Sequence, residues 1–373
     1  MATRLAAIAD PATIDPLVAA KAANLVYVSD RIPGITRLRA GRGFVYRDRA
    51  GRAIRDPDEL SRIQSLGIPP AWTHVWICPD PDGHIQAVGY DARGRKQYRY
   101  HARWREVRDE TKFEHMLTFG RALPRIRQRV QADLRRRGLA REKVLAAVVR
   151  LMERTLGRVG NPAYARENQS FGLTTLRHDH VRITPKGQVE LEFRGKAGVH
   201  YHKLITDPVL NRILRNCQDL PGSELFQYPD ESGMLRRISS GHVNAYLRDI
   251  SGHHVTAKDF RTWAATNLAV LEMALLHEPR PTKKGTVAIV KRVAEQLGNT
   301  PAVCRKSYIH PRVLACYLDG TLLPTLAMLE ASVRAPGMWA VEGVVMRLLA
   351  EWHAGGRKAT EAADRAVRRA LGE

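Results

Sequence analysis

The chain has 373 residues, enough for roughly one to three domains and a sizeable buried core. Its 60 Lys and Arg outnumber its 38 Asp and Glu, so the formal net charge is +22 at pH 7. Such an excess raises self-repulsion unless a polyanion binds, which makes nucleic acid the expected partner and a membrane an unlikely one. No run approaches the ~20 apolar residues that span a bilayer. Met1–Ala23 lacks the apolar core of a signal peptide, so we expect a cytoplasmic protein.

Cysteine and histidine spacing gives no sign of a metal site. The cysteines form no CxxC pair, and we expect them to be reduced thiols: Cys78, Cys217, Cys304 and Cys316. His200 and His202 alternate as ligands on a strand could, but no carboxylate cluster in the sequence joins them. We therefore expect no metal and no cofactor.

The first part of the chain predicts a small antiparallel sheet domain. Short strand patterns alternate with Gly and Asp turn signals over Ile35–Leu38, Phe44–Arg47, Thr73–Cys78, Ile85–Gly89 and Lys96–His101. One helix interrupts them, with Asp56 as its N-cap, Pro57 at its first position and Glu59 closing a capping box. We place this mainly β, DNA-binding domain at residues 1–104.

After about Arg103 the apolar pattern changes to helical period. One apolar face comprises Val144, Leu145, Val148, Val149, Met152 and Leu156. Three further strands are predicted at Val181–Thr184, Val189–Phe193 and Val199–Leu204. From Asp207 onward helices dominate, ending in a basic amphipathic helix at Thr360–Leu371. The predicted fold is α+β, with a larger, mainly α domain at 105–373 that carries a short three-stranded sheet.

Four polar segments stand out in this second part: Arg158–Asn168, Phe193–Val199, Lys258–Ala265 and Leu297–Pro311. In order and spacing they resemble the type IB DNA topoisomerases, specifically the small poxvirus-like enzymes of bacteria. The resemblance extends over roughly Val26–Leu318. Each segment alone is a weak signal, but the set is specific. The resemblance also implies the helical catalytic fold that these enzymes share with tyrosine recombinases.

The resemblance implies a catalytic set of five residues. Tyr308 is the nucleophile that attacks a backbone phosphorus, leaving a 3′-phosphotyrosyl link and a free 5′-hydroxyl. Arg158 and Arg261 hold the phosphate oxygens, and Lys196 protonates the leaving oxygen, assisted by Arg158. Asn299 donates a further hydrogen bond. It stands where most members have His, and an amide cannot carry a proton in that role.

Elementary chemistry supports these residue types. Charge moves onto the phosphate oxygens in the transition state, and two guanidiniums are fixed, permanently charged donors for it. A tyrosine ionises near pH 10 in water, so nearby arginines favour the phenolate. The bond energy is kept in the phosphotyrosyl link. The sequence has no phosphate-binding Gly-rich loop with Lys and Ser/Thr, which fits a reaction without ATP or metal.

Further residues are predicted to contact duplex DNA. Gly94–Tyr100 resembles the strand that this family lays in the major groove, and Gln can read adenine there. The predicted contacts are Lys258, Gln97, Tyr98, Tyr100, Tyr164 and Asn168. The protein is expected to act as a monomer in the cytoplasm, associated with the nucleoid, without an obligate protein partner.

Two alternatives stay open at this stage. A tyrosine recombinase or integrase shares the Arg, Lys, Arg and Tyr set, but usually has His where Lys258 stands and opens with a helical domain. A non-catalytic basic nucleic-acid-binding protein would explain the charge of +22 and none of the four segments.

Overall fold

The computed structural model describes residues 17, 20–21, 23–276, 280–332 and 338–355. The predicted helix at Thr360–Leu371 lies outside these residues. The chain divides into two compact units, Met1–Lys112 and Phe113–Glu373. The boundary falls within one long helix, somewhat later than the boundary predicted after residue 104.

The first unit is built on an antiparallel five-stranded sheet. Its strands are β1 (Ile35–Ala40), β2 (Gly43–Arg47), β3 (Thr73–Ile77), β4 (Ile85–Tyr90) and β5 (Lys96–Tyr100), in the order β2-β1-β3-β4-β5. All five predicted strands are confirmed, with ends that differ by one or two residues. The tight turn between β1 and β2 includes Gly41 at a φ of 55°, a conformation that glycine adopts without strain.

Helix α1 (Pro57–Ser65) covers this sheet. Its N-cap is Asp56, as predicted, and the carboxylate accepts from the Asp58 N–H at 3.1 Å. The predicted capping box is wrong, because the Glu59 carboxylate accepts from Arg62 at 2.6 and 2.8 Å instead. A charged donor one turn away competes well against a backbone N–H. The core between helix and sheet contains Ile35, Ile63, Val75, Ile77 and Ala87.

The second unit is mainly helical. Its helices are α2 (Ala102–Asp133), which begins before the boundary, α3 (Arg141–Thr155), α4 (Pro162–Asn168), α5 (Pro208–Gln218), α6 (Ser240–Ser251), α7 (Ala257–Leu276), α8 (Lys283–Leu297), α9 (Pro301–Ser307), α10 (Pro311–Leu318), α11 (Leu323–Ser332) and α12 (Met338–Gly355). The predicted fold class is confirmed.

Two small antiparallel sheets accompany these helices. β6 (Val181–Ile183), β7 (Val189–Arg194) and β8 (His200–Ile205) form the predicted three-stranded sheet, in the order β6-β7-β8. A hairpin of β9 (Gln227–Pro229) and β10 (Leu235–Arg237) was not predicted. Neither strand has the apolar alternation of a typical strand, because Gln227–Pro229 ends in proline and Leu235–Arg237 has a single apolar residue.

Helix α3 lies at the centre of the second unit, in contact with α5, α6 and α7. The predicted apolar face is buried, apart from the partly buried Leu156 at its end, but so are Ala146, Ala147 and Leu151. The helix is therefore enclosed almost all round, and it offers a rigid base for the loop that follows it. Among the helices described, none combines the length and the apolar character needed to cross a bilayer.

Candidate active site

Arg261 is held by the carboxyl ends of two helices. It lies on α7 and is only 4% exposed. Its Nη1 donates to the carbonyl of Leu156, the left-handed C-cap of α3, and its Nη2 donates at 2.9 Å to the carbonyl of Leu297, the last residue of α8. Carbonyls at helix ends carry partial negative charge and stabilise a cation. Two of its five N–H donors are thereby used.

Tyr308 lies beside this guanidinium, at the C-cap of α9. The guanidinium carbon of Arg261 is 5.2 Å from the centre of the phenol ring. Thr266, also on α7, donates to the Tyr308 carbonyl at 3.2 Å and accepts from the His310 N–H at 3.0 Å. One helix therefore supplies Arg261 and fixes the backbone that directly follows the phenol-bearing residue.

Arg158 and Asn299 meet at the same place. The Arg158 Nη2 donates to Asn299 Oδ1, and also to the Gly298 carbonyl at 3.3 Å. A guanidinium only donates, so the amide oxygen must face it and the amide nitrogen faces elsewhere. Among the residues described, Asn299 Nδ2 and Arg261 Nε are buried donors with no hydrogen-bond partner. A buried donor is costly without an acceptor, and an anion such as a phosphate supplies several.

Local backbone chemistry explains the position of Asn299. Helix α8 ends in a Schellman motif, in which Gly298 adopts a φ of 63° and the Asn299 N–H donates to Ala294 O at 2.9 Å. Thr300 then caps α9, with Pro301 at its first position. The Gly-Asn-Thr-Pro sequence is thus one helix end followed directly by one helix start, with the amide at the junction.

The loop that carries Arg158 is pinned by a second segment of the chain. The Leu173 N–H donates to Arg158 O at 2.7 Å, and the Thr174 N–H donates to Val159 O at 2.6 Å. A Cβ on Gly172 would lie 2.6 Å from the Gly160 backbone, so this close approach requires glycine. The arginine therefore projects from a fixed backbone.

The ionisation of Tyr308 reflects its neighbours. Burial raises the pKa of the hydroxyl, but the positive charges of Arg261, Arg158 and Lys258 outweigh burial, and the pKa lies below its ordinary value. Burial and the like charge of Arg261 lower the pKa of Arg158, which nevertheless stays a cation at neutral pH. The fixed positive charges therefore make this phenol easier to ionise than a phenol in water.

The two lysines are placed differently from the arginines. Lys258 is exposed on α7, one turn before Arg261. Lys196 is exposed on the short 3₁₀ turn Lys196–Gly198 between β7 and β8. Among the described contacts, none joins Lys196 to Tyr308, Arg158 or Arg261. The structure thus brings together four of the five predicted catalytic residues and leaves the fifth, Lys196, on an exposed turn. Strand β7, which leads into this turn, is joined to the segment that pins the Arg158 loop, because the Phe171 N–H donates to Arg194 O at 2.7 Å.

Tyr164 and Asn168 lie on α4, directly after the Arg158 loop. Both are half-buried, and Asn168 Nδ2 donates to Tyr164 O at 3.3 Å. Their helix begins at Asn161, whose side chain accepts from the N–H groups of Ala163 and Tyr164. The Asn-Pro sequence is therefore a helix N-cap and first position, which is a structural role.

The predicted DNA-contacting strand in the first unit is β5. Tyr98 and Tyr100 are 41% and 36% exposed, and their rings stack with centroids 5.8 Å apart. Gln97 points to the opposite face of the strand, since side chains alternate, and its amide donates to Asp91 Oδ2 at 3.0 Å. The two tyrosines share one exposed face, and Gln97 is engaged on the other.

His200 and His202 lie on β8, each opposite a glutamate of β7. His200 Nε2 is 3.0 Å from Glu192 Oε1, and His202 Nε2 is 2.9 Å from Glu190 Oε1. These pairs could not be predicted from the sequence, because register between strands cannot be read from spacing along the chain. Each imidazole pairs with one carboxylate, and within the described residues no three potential ligands gather around a common point.

Two residues near the site were missed in the sequence. Thr266 sits in the middle of a buried helix, where a hydroxyl gives no distinguishing pattern. Tyr201 donates to Thr155 O at 2.5 Å and lies close enough to Arg158 and Arg261 for both charges to lower its pKa, although burial raises it more. The signal that could have found Tyr201 is the alternation along β8, which places its side chain on the opposite face from the exposed His200 and His202.

Much of the chain is similar to known proteins. Residues 101–319 match the family model of the eukaryotic DNA topoisomerase I catalytic core, and residues 43–91 match the bacterial DNA topoisomerase IB N-terminal domain. DNA topoisomerase 1B of Acanthamoeba polyphaga mimivirus is 34% identical over 296 residues, covering 76% of this chain and 87% of the viral protein. DNA topoisomerase 1B of Vaccinia virus (strain Copenhagen) is 22% identical over 250 residues, covering 64% and 74% of the two chains. DNA topoisomerase 1 of Mycosarcoma maydis is 26% identical over 176 residues, covering 42% and 17%. The resemblance seen in the sequence is thereby confirmed, and the chain belongs to the type IB DNA topoisomerases.

Proposed function

We propose that this chain relaxes supercoiled duplex DNA by cutting one strand through Tyr308, letting it rotate, and resealing it. The observation that carries the proposal is the cluster of Tyr308, Arg158, Arg261 and Asn299, which places a phenol of lowered pKa beside two guanidiniums. Buried donors without partners at Asn299 and Arg261 suit an incoming phosphate.

Each bond change has a group to support it. The Tyr308 oxygen bonds to the phosphorus as the bond to the 5′ oxygen breaks, and Arg158 and Arg261 stabilise charge on the non-bridging oxygens. Asn299 adds a neutral donor. Resealing is the same reaction reversed, with the 5′-hydroxyl as nucleophile and the phenol as leaving group. One phosphodiester bond is exchanged for another, so neither ATP nor a metal ion enters the balance.

We assign the general acid to Lys196. Its ammonium is exposed on a turn flanked by Gly195 and Gly198, and it supplies the proton that the leaving 5′ oxygen needs. The exposed turn leaves this ammonium free to approach a bound duplex. We propose that Arg158, held beside Asn299, assists the transfer.

Duplex DNA is the substrate of this family, and the charge of +22 suits it. We propose that Lys258, Tyr164 and Asn168 contact the backbone near the cut, and that β5 contacts the major groove through Tyr98 and Tyr100. Base reading by Gln97 requires release of its amide from Asp91. We further propose that the protein acts as a monomer on the nucleoid in the cytoplasm, without an obligate protein partner.

A recombinase is the weaker reading. Lys258 stands where recombinases usually have His, and the first unit is a sheet rather than a helical domain. A non-catalytic nucleic-acid-binding protein would not need Tyr308 and the two arginines to lie together.

Relaxation of a supercoiled plasmid, with EDTA and without ATP, tests the proposal. We expect full relaxation, with protein covalently attached to the 3′ end of the cut strand after denaturant is added. The adduct is then mapped by peptide mass spectrometry, and we expect it on residue 308. A plasmid that stays supercoiled under these conditions, or nicks that carry no protein, would contradict the proposal.

Replacing Lys196 with Ala is expected to slow single-turnover cleavage about 10²-fold or more, as removal of a general acid does. A substrate with sulfur in place of the 5′ oxygen should recover most of this loss, because a thiolate leaves without a proton. The matched control is Lys186→Ala, which removes an exposed lysine from the turn between β6 and β7. An equal defect on both substrates would remove Lys196 from the acid role.

A further inference from the structure

Helix α12 lies beyond the region matched by the catalytic-core family model, residues 101–319. It nevertheless packs into the catalytic unit, against α7, α10 and α11. Its buried apolar residues are Val341, Val344, Val345 and Leu349. A helix that only covers the core needs no more than such apolar contacts. Helix α12 also carries two buried side chains that contact the segments bearing Arg261 and Tyr308.

The first of these side chains is Glu342, which is 9% exposed. Its two oxygens accept from Arg127 at 2.7 and 2.8 Å, and one of them also accepts from Trp263 Nε1 at 3.0 Å. Trp263 follows Arg261 by two residues on α7. A buried carboxylate without its partners is strongly unfavourable, so this geometry fixes Glu342 and holds the tryptophan in one orientation.

The second side chain is Trp352, which is 6% exposed. Its ring meets the His310 ring edge-on, with centroids 4.7 Å apart, and Phe113 meets the same imidazole at 5.0 Å. His310 follows Tyr308 by two residues, and its backbone N–H is bound by Thr266. The segment that carries the phenol is thereby packed against the C-terminal helix.

The two contacts lie on one rigid element. Glu342 and Trp352 are ten residues apart, which is about 15 Å along a helix. One end of α12 therefore contacts the helix that bears Arg261, and the other end contacts the segment that bears Tyr308. Helix α12 packs closely against α2 and α7, since a Cβ on Gly120 of α2 would lie 2.4 Å from Met346 Sδ and 2.7 Å from the Trp263 ring.

We propose that α12 positions the nucleophile relative to Arg261, so that cleavage by this chain depends on a C-terminal segment outside the matched catalytic core. Trp352 and Glu342 are positioning residues that act through His310 and Trp263. The proposal rests on the proposed function, in which Tyr308 attacks the phosphate. In-line attack is sensitive to displacements of an ångström, which cost about 10²-fold in rate.

The test uses the full chain with Trp352→Ala, Trp352→Phe and Glu342→Gln. Single-turnover cleavage is measured at saturating enzyme on a duplex that traps the adduct, together with duplex affinity and Tm. We expect Trp352→Ala to slow cleavage about ten- to hundredfold with little change in duplex affinity. Trp352→Phe keeps an aromatic ring against His310 and should keep most of the wild-type rate. Glu342→Gln places an amide N–H against the Arg127 guanidinium, and we expect an intermediate loss. The 5′-sulfur substrate should rescue none of these variants, because the nucleophile rather than the leaving group is displaced.

Two controls separate positioning from stability. Val345→Ala removes buried methyl groups from the same helix and should lower Tm as Trp352→Ala does, yet keep the cleavage rate. Glu351→Gln changes an exposed neighbour of Trp352 and should alter neither. If Trp352→Ala does not fold, Trp352→Leu carries the same expectation. Cleavage by Trp352→Ala at the wild-type rate, or an equal loss of rate in Val345→Ala, would overturn this inference. Tyr308→Phe tests the proposed function separately.

Discussion

Replacing Tyr308 with Phe is expected to abolish the covalent adduct and plasmid relaxation. The substitution removes only the attacking oxygen, since the ring still fits beside Arg261 and the backbone contacts from Thr266 are unchanged. Loss of a covalent nucleophile typically costs roughly 10⁴-fold or more, so no adduct should be detected on denaturing gels.

Duplex affinity should survive this change, because phosphate contacts by the basic residues remain. Tyr228→Phe, on the β9–β10 hairpin of the same unit, is the matched control and should cleave as the unchanged chain does. Adduct formation by the Tyr308 variant at more than a trace rate would mean that another residue attacks the phosphorus.

Replacing Arg261 with Lys is expected to be the second most damaging change. A lysine keeps the charge but has a single ammonium, which cannot hold the carbonyls of Leu156 and Leu297 and also present donors to a phosphate. Loss of one transition-state donor typically costs 10²–10³-fold, and we expect a fall of about that size in single-turnover cleavage. Arg154→Lys, at an exposed position on α3, should have little effect.

Arg261→Ala adds a prediction about pH. The arginine charge lowers the pKa of Tyr308, so its removal raises that pKa. If phenolate is the attacking form, cleavage rises with pH as the phenol ionises, and the rising part of the rate profile should move to higher pH in the variant. The measurement is the single-turnover rate across a pH series on the 5′-sulfur substrate, on which protonation of the leaving group does not limit the rate. A profile that keeps its position would show that Arg261 does not control the ionisation of Tyr308.

Much of the fold was predictable because its signals are local. Alternation along β1 to β8 and the apolar pattern of α3 depend on neighbours in the chain, and the structure confirms them. The hairpin of β9 and β10 was missed because its strands, which end in proline or in two arginines, lack apolar alternation. The predicted capping box at Glu59 was wrong because Arg62 binds the carboxylate. Spacing along the chain does not show which of two neighbouring donors a carboxylate will bind.

The candidate site divides in the same way. The order and spacing of the motifs, through the resemblance to type IB topoisomerases, singled out Tyr308, Arg158, Arg261 and Asn299. Lys196 was also singled out, but its approach to the reacting phosphate stays a proposal, because the described contacts leave it on an exposed turn.

Composition and local pattern are enough to predict the strongly basic character of this protein, the order of most of its helices and strands, and the residue types of a phosphoryl-transfer site. The folded chain alone shows that helix carboxyl ends hold Arg261, that Asn299 turns its amide oxygen to Arg158, and that Glu342 and Trp352 bring a C-terminal helix against the same site. Propensities and caps act between residues close in the chain. Contacts between residues tens of positions or more apart depend on how the whole core packs, and no local pattern encodes them.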